Sequence, residues 1–182
     1  LFHEELPFST IEEIYSVMLR VPRHRYLILT KRPERMAEFF SGRTVPSWVW
    51  VGTSVELQQY MGRLDYLRMI DAKIRFVSFE PLLGPIDATP KPGEPYFEKG
   101  LEGIAWAIVG GESGPQPERR TMKPEWARAL RDACLAQGVK YFFKQWGGMR
   151  PTSNGRELDG RTWDEYPEDV LALLGREALE PA

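Results

Sequence analysis

Five short runs of apolar, β-branched or aromatic residues punctuate the chain: "RYLILT" (25–30), "WVWVGT" (48–53), "IRFVSF" (74–79), "IAWAIVG" (104–110) and "VKYFFK" (139–144). They are nearly continuous in hydrophobicity rather than alternating. That pattern marks strands buried on both faces, as in parallel sheets. Helical patterns lie between them. "STIEEIYSVMLR" offers Ser9 and Thr10 as N-caps and an apolar stripe of Ile11, Ile14, Tyr15 and Met18. "RPERMAEFF" places Pro33 in a first helical turn. "ELQQYMGRLDYLRMIDA" carries Leu57, Met61, Leu64 and Leu67 on one face. "KPEWARALRDACLAQG" begins at Pro124 and stops at Gly138.

Alternation of strand and helix predicts an α/β fold with a parallel sheet and right-handed crossovers. The expected architecture is a parallel (β/α) part-barrel, TIM-like, over residues 1–148; an open doubly wound sheet is the alternative. A closed eight-strand barrel takes about 250 residues, and this chain has 182. The leading helix has no strand before it. We therefore expect the chain to be the C-terminal part of a larger barrel domain, its first strands missing. Residues 83–103, rich in Pro and Gly, read as a surface loop. Residues 149–182 read as loop, a small hairpin with turn signals at Asn154-Gly155 and Asp159-Gly160, and a short helical tail from Val170.

Bulk properties narrow the function. A net charge of −2 gives no global pull toward nucleic acid or anionic membrane. No apolar run approaches the roughly 18 residues of a membrane span, so no membrane partner is expected. The lone cysteine, Cys134, cannot form an internal disulfide, which fits a cytoplasmic setting. It lies on the apolar face of its helix and reads as core. Two histidines, His3 and His24, fall off the pattern of polar strand ends. A zinc hydrolase or a Ser-His-Asp enzyme is therefore disfavoured. Neither a P-loop nor a G-x-G-x-x-G fingerprint is present.

Parallel sheets bind ligands at the carboxyl ends of their strands, and polar residues gather there. The first strand ends in Lys31 and Arg32, the second in Thr53, Ser54 and Glu56, the third in Ser78 and Glu80. The fourth gives Gly110, Gly111, Glu112 and Ser113, and the fifth Lys144, Gln145 and Trp146. We expect Lys31, Glu80, Glu112 and Lys144 to be the catalytic groups. Thr53, Ser54, Glu56, Gly110, Gly111 and Ser113 are expected to hold a cofactor, and Arg32, Gln145 and Trp146 a substrate. Cations at a helix start oppose the helix dipole, so Lys31 and Arg32 call for an anionic ligand or a carboxylate partner. Each glutamate also has a plain structural reading, as a helix cap or half of an ion pair. Three carboxylates and a lysine would suit Mg²⁺ in a lyase or hydrolase. A non-catalytic interaction module is the third reading. No resident metal site is assigned.

The ordered set "LTKRPERM", "WVGTSVE", "RFVSFEPLLGPI", "WAIVGGESG" and "FFKQWGG" resembles the phage gene-product-37/gene-product-68 type family of phage and bacterial proteins. "LTKRPE" is also similar to strand ends in the spore photoproduct lyase group. The resemblance implies a radical S-adenosylmethionine organisation: an N-terminal cysteine cluster holding an iron–sulfur cluster, then a βα part-barrel. It implies S-adenosylmethionine and that cluster as cofactors of the full-length protein. A phage or bacterial cytoplasm and a small-molecule, nucleotide or nucleic-acid substrate go with it. The chain departs from the pattern by lacking the cysteine cluster, and its Gly-Gly-Glu stretch follows a late strand. Substrate, reaction and oligomeric state are left open.

Overall fold

The computed structural model describes residues 1–95, 97–115, 117 and 119–167. The helical tail expected from Val170 lies outside the described residues. Helix α1 spans Phe8–Arg20, strand β1 Tyr26–Thr30, helix α2 Pro33–Phe40, and β2 Thr44–Val45. Strand β3 covers Val49–Ser54, helix α3 Arg63–Arg68, β4 Asp71–Ala72 and β5 Arg75–Phe79. Strand β6 covers Trp106–Gly110, helix α4 Pro124–Ala136 and β7 Lys140–Gln145. The short strands β8 (Glu157–Leu158) and β9 (Arg161–Thr162) close the described chain.

The five long strands form one parallel sheet in the order β1-β3-β5-β6-β7. The order follows the chain without reversal, so the doubly wound alternative, which needs a switch point, is not the arrangement here. Of the expected part-barrel, the α/β class and the five-stranded parallel sheet are seen. Among the described residues no sheet closes: β1 and β7 stand at the two ends of the strand order and do not pair with each other. The N-terminal helix begins at Phe8, with Pro7 in extended conformation ahead of it and no side-chain cap, rather than behind Ser9 or Thr10. The pattern expected to give one long third helix instead gives a 3₁₀ turn at Gln58–Tyr60 and the six-residue α3. Gly62 interrupts it, at the helical cost glycine carries.

Winding in one direction with right-handed crossovers puts the connections on one face of the sheet. The main core lies on that face. Ile11 and Tyr15 of α1, Met36 and Phe40 of α2, Leu64 and Leu67 of α3, and Leu130 and Cys134 of α4 pack against Ile28, Val51, Val77, Val109 and Tyr141. The other face carries a separate cluster with no helix residue in it: Trp50, Ile74, Phe76 and Trp106, flanked by Ile108, Phe142 and Tyr166. Gly52 makes room for it, since a Cβ there would sit 2.5 Å from the Phe76 ring. Toward β1 this open face thins to Leu27 and Leu29, both exposed.

The hairpin of β8 and β9 turns on Asp159 and Gly160, both at positive φ, as a two-residue primed turn requires. Asp159 ties it to α4 through Arg128 at 2.6 Å and Arg131 at 2.5 Å. No helix among the described residues is long and apolar enough to cross a membrane.

Candidate functional site

The carboxyl ends of β1, β3, β5, β6 and β7 lie side by side and bring the expected polar residues to one rim. They do not form a single constellation. Three carboxylates stand there, each held by its own cation.

Glu56 is buried, its side chain 5% exposed. Lys31 Nζ lies 2.5 Å from Oε1, and Arg63 Nη1 lies 3.0 Å from Oε2. Arg63 also donates to the Ser54 carbonyl at 2.7 Å and rests on the Tyr60 ring. Burial raises the Glu56 pKa, but the Lys31 hydrogen bond and the Lys31 and Arg63 charges outweigh it, so the net shift is downward. Glu56 is thus a charged clamp joining β1, β3 and α3. Lys31 finds here the carboxylate partner that its position after β1 demanded.

Glu80 and Lys144 form a second pair, with Oε2 and Nζ 2.9 Å apart. Gln145 Nε2 lies 3.3 Å from Glu80 Oε1 and 3.3 Å from Ser113 Oγ. Glu80 lies over Gly110, where an added Cβ would come within 2.9 Å of its Oε1. The peptide from Glu80 to Pro81 is cis.

Glu112 faces Arg120. Its Oε2 accepts from the Arg120 backbone N–H at 2.7 Å and from Nε at 3.0 Å, while Oε1 accepts from Nη2 at 2.6 Å. These bonds hold its pKa down at about 2. A cavity of about 140 Å³ lies against Glu112, Ser113, Gly114, Pro115 and Arg119. Glu112 is therefore a brace across its own loop and meets the Glu80 cluster only through its neighbour Ser113.

The remaining expected residues divide by surroundings. Thr53 is fully buried and its hydroxyl donates to the Thr30 carbonyl at 2.9 Å. Gly111 packs so tightly on the Trp146 carbonyl that no Cβ fits, and its N–H donates to the Gln145 carbonyl at 2.9 Å. Trp146 stacks edge-on against Phe143 and donates its indole N–H to the Glu157 carbonyl. Thr53, Gly111 and Trp146 thus have structural partners in place. Ser54 and Ser78 differ. They are register partners on β3 and β5, they share the open face with Gly52 and Phe76, and among the described residues neither hydroxyl has a hydrogen-bond partner. Arg32 bonds Thr30 Oγ1 through its backbone N–H, and among the described residues its guanidinium has no acceptor.

Sequence reasoning did not assign Arg63 or Arg120 to the rim, because neither sits at a strand end; only their carboxylate partners do. It noted Ser78 without giving it a role. The register with Ser54 is what singles Ser78 out.

The residues do not fit an iron–sulfur cluster. The one cysteine, Cys134, lies on α4 in the main core, and burial pushes its thiol up to about 12. Among the described residues no group of three or more His, Cys, Asp or Glu side chains could hold a metal ion.

A family model described as "Protein of unknown function (DUF5131)" matches residues 1–167. No curated protein matches the chain, and no solved structure matches it.

Proposed function

The chain belongs to the DUF5131 family, and from that premise we propose that the rim of its open sheet face binds a small zwitterionic or anionic ligand with an apolar or aromatic body. The carrying observation is the pair of unpartnered hydroxyls, Ser54 and Ser78, on the strand ends between the ion pairs Lys31–Glu56 and Lys144–Glu80. Lys31 and Lys144 have side chains 60% and 50% exposed. Glu56 is buried between Lys31 and Arg63, whereas the half-exposed Lys144–Glu80 pair contributes about 0–1 kcal/mol, so a ligand can exchange with that second pair cheaply. Its acidic group would take Lys144 or Arg32, its basic group Glu80, and its polar body the two serines. Ile108 and Phe142, in the same register row as Ser78, offer the apolar contact.

S-adenosylmethionine belongs to this ligand class. It carries a carboxylate, an ammonium and an adenine ring. The resemblance to the phage gene-product-37/gene-product-68 type family makes it the first ligand to try, and a nucleotide the second. When bound it would supply an activated sulfonium. The part assigned to this chain is binding and orientation by Ser54, Ser78, Glu80 and Lys144, with no cluster-dependent step. Magnesium chemistry has less support, since each rim carboxylate already carries a cation.

The test is titration calorimetry and thermal unfolding with S-adenosylmethionine, AMP and methionine. A ligand at about a hundred times its Kd stabilises by about 2.7 kcal/mol, a rise of several degrees in Tm for a chain this size. The rise should disappear in Ser54→Ala/Ser78→Ala and in Glu80→Gln. No binding of any of the three would overturn the reading.

A further inference from the structure

Two arginines stand beside one carboxylate at the end of β6. Arg120 is engaged with Glu112 through its side chain and its main chain. Arg119 has no carboxylate partner among the described residues. Its Nη1 donates to the Gly114 carbonyl at 3.1 Å, and no other acceptor among those residues meets its guanidinium. One positive charge is therefore left over at the cavity that Glu112, Ser113, Gly114, Pro115 and Arg119 line.

Ser113 adds a donor to the same wall. Its Oγ accepts from Gln145 Nε2 at 3.3 Å, so its own hydroxyl proton is left to give. The wall is also set in advance. Gly114 N–H donates to the Gly148 carbonyl at 2.9 Å, and Gly148 N–H to the Glu112 carbonyl at 3.1 Å. The Arg120 N–H closes onto the Glu112 side chain at 2.7 Å. Arg119 is pinned at one nitrogen and keeps the rest of its fork for a ligand. That fork matches carboxylate and phosphate oxygens with parallel hydrogen bonds.

Size and lining choose among anions. The cavity holds about 140 Å³, several times the share of about 30 Å³ that a water takes in the liquid. Pockets for whole drug-sized ligands begin at about 300 Å³. The space suits one polar group and not a nucleoside, and Pro115 is the one apolar residue lining it. A carboxylate has two oxygens, both taken by the arginine fork. A phosphate group has a further strong acceptor, which Ser113 can meet.

We propose that this cavity binds a phosphate group, free or as the end of a small monoester, through the Arg119 guanidinium and the Ser113 hydroxyl. Ser54, Ser78 and Lys144 take no part, so the phosphate site does not depend on the rim reading. It approaches the rim at one point, since Gln145 Nε2 also lies 3.3 Å from Glu80 Oε1. Only the reach of a rim ligand into the cavity rests on that reading.

The test uses inorganic phosphate, AMP and adenosine at constant ionic strength, followed by calorimetry and by amide NMR. Phosphate should bind one-to-one and shift the Ser113 and Gly114 amides. Arg119→Gln should weaken it about tenfold or more, as loss of a charged hydrogen bond does. Arg119→Lys, which keeps the charge and loses the fork, should weaken it less. Both variants should melt with the wild type, because Arg119 holds a single carbonyl. Ser54→Ala/Ser78→Ala should leave phosphate binding unchanged, which separates this site from the rim. AMP tighter than phosphate, with adenosine weak, would assign the group to an ester whose body lies on the rim. AMP no tighter than phosphate would assign it to the free anion. Absence of saturable phosphate binding, binding that Arg119→Gln leaves unchanged, or shifts at scattered amides instead of Ser113 and Gly114 would each overturn the proposal.

Discussion

Glu80 reaches across the end of β6 to Lys144, its carboxylate passing directly over Gly110. The two strand ends it joins, β5 and β7, are not neighbours; β6 lies between them. The bridge therefore depends on the absence of a side chain at Gly110. Gly111, one residue on, is constrained differently, because a Cβ there meets the Trp146 main chain rather than a movable side chain. Gly110→Ala should cost less than about 1 kcal/mol, since only the end of Glu80 has to move, within the range of exposed-pair energies. It should nonetheless weaken ligand binding at the rim. Gly111→Ala should cost several times more, as overpacking against fixed backbone does. Chemical denaturation of both variants, with ligand titration of the first, checks the pair.

The two best-defined rim glutamates should separate by stability. Glu56 is buried between Lys31 and Arg63, so Glu56→Gln leaves a partly buried arginine short of its counter-charge. Breaking a buried pair costs about 3–5 kcal/mol, and the exposure of Lys31 lowers the expectation to about 2–3 kcal/mol. Glu80→Gln removes a pair whose lysine is half in solvent, and should cost less than about 1 kcal/mol. Urea melts of both variants settle the order. A larger loss at Glu80 would make its pair structural and leave the rim without a spare carboxylate.

The strands were legible because they are buried on both faces. All five apolar runs appear in the structure as strands, with ends shifted by one or two residues. Closure was not legible, because whether a sheet closes depends on which edges find partners. Sequence shows strand interiors, not edges. The third helix was misread because Leu57, Met61, Leu64 and Leu67 fit a helical stripe that the Gly62 break then splits. At the rim, position was legible and partnership was not. Strand ends announce Glu56, Glu80 and Glu112, but their arginine partners come from elsewhere. Arg63 stands on α3, and Arg120 in the loop before α4. Spacing along the chain carries no trace of either pairing.

Cys134 should behave as an inert core residue. It is fully buried, and its thiol is raised to about 12, whereas an exposed cysteine titrates near 8.5. Thiolate is the reactive form. Ellman's reagent at about pH 8 should therefore leave the native protein unmodified and react with one thiol once it is unfolded in guanidinium. Fast native labelling would mean that α4 does not pack against β7 as described.

Glu112 gives the chain a pH dependence whose sign can be fixed. Its hydrogen bonds to the Arg120 side chain and backbone hold its pKa at about 2, below the ordinary 4.5 of a glutamate. A depressed carboxyl contributes stability that is complete above the unfolded value. That contribution fades as the pH falls from 4.5 toward about 2. Glu112→Gln should thus melt below the wild type at about pH 6, and the gap should narrow steadily below about pH 4.5. Asp159, held at about 2 by Arg128 and Arg131, titrates in the same window in both proteins and cancels in the difference. Thermal melts of the two proteins between about pH 6 and pH 2 measure the gap. A gap that stays constant across that range would mean that the Glu112 carboxylate is not bonded to Arg120 in the folded chain.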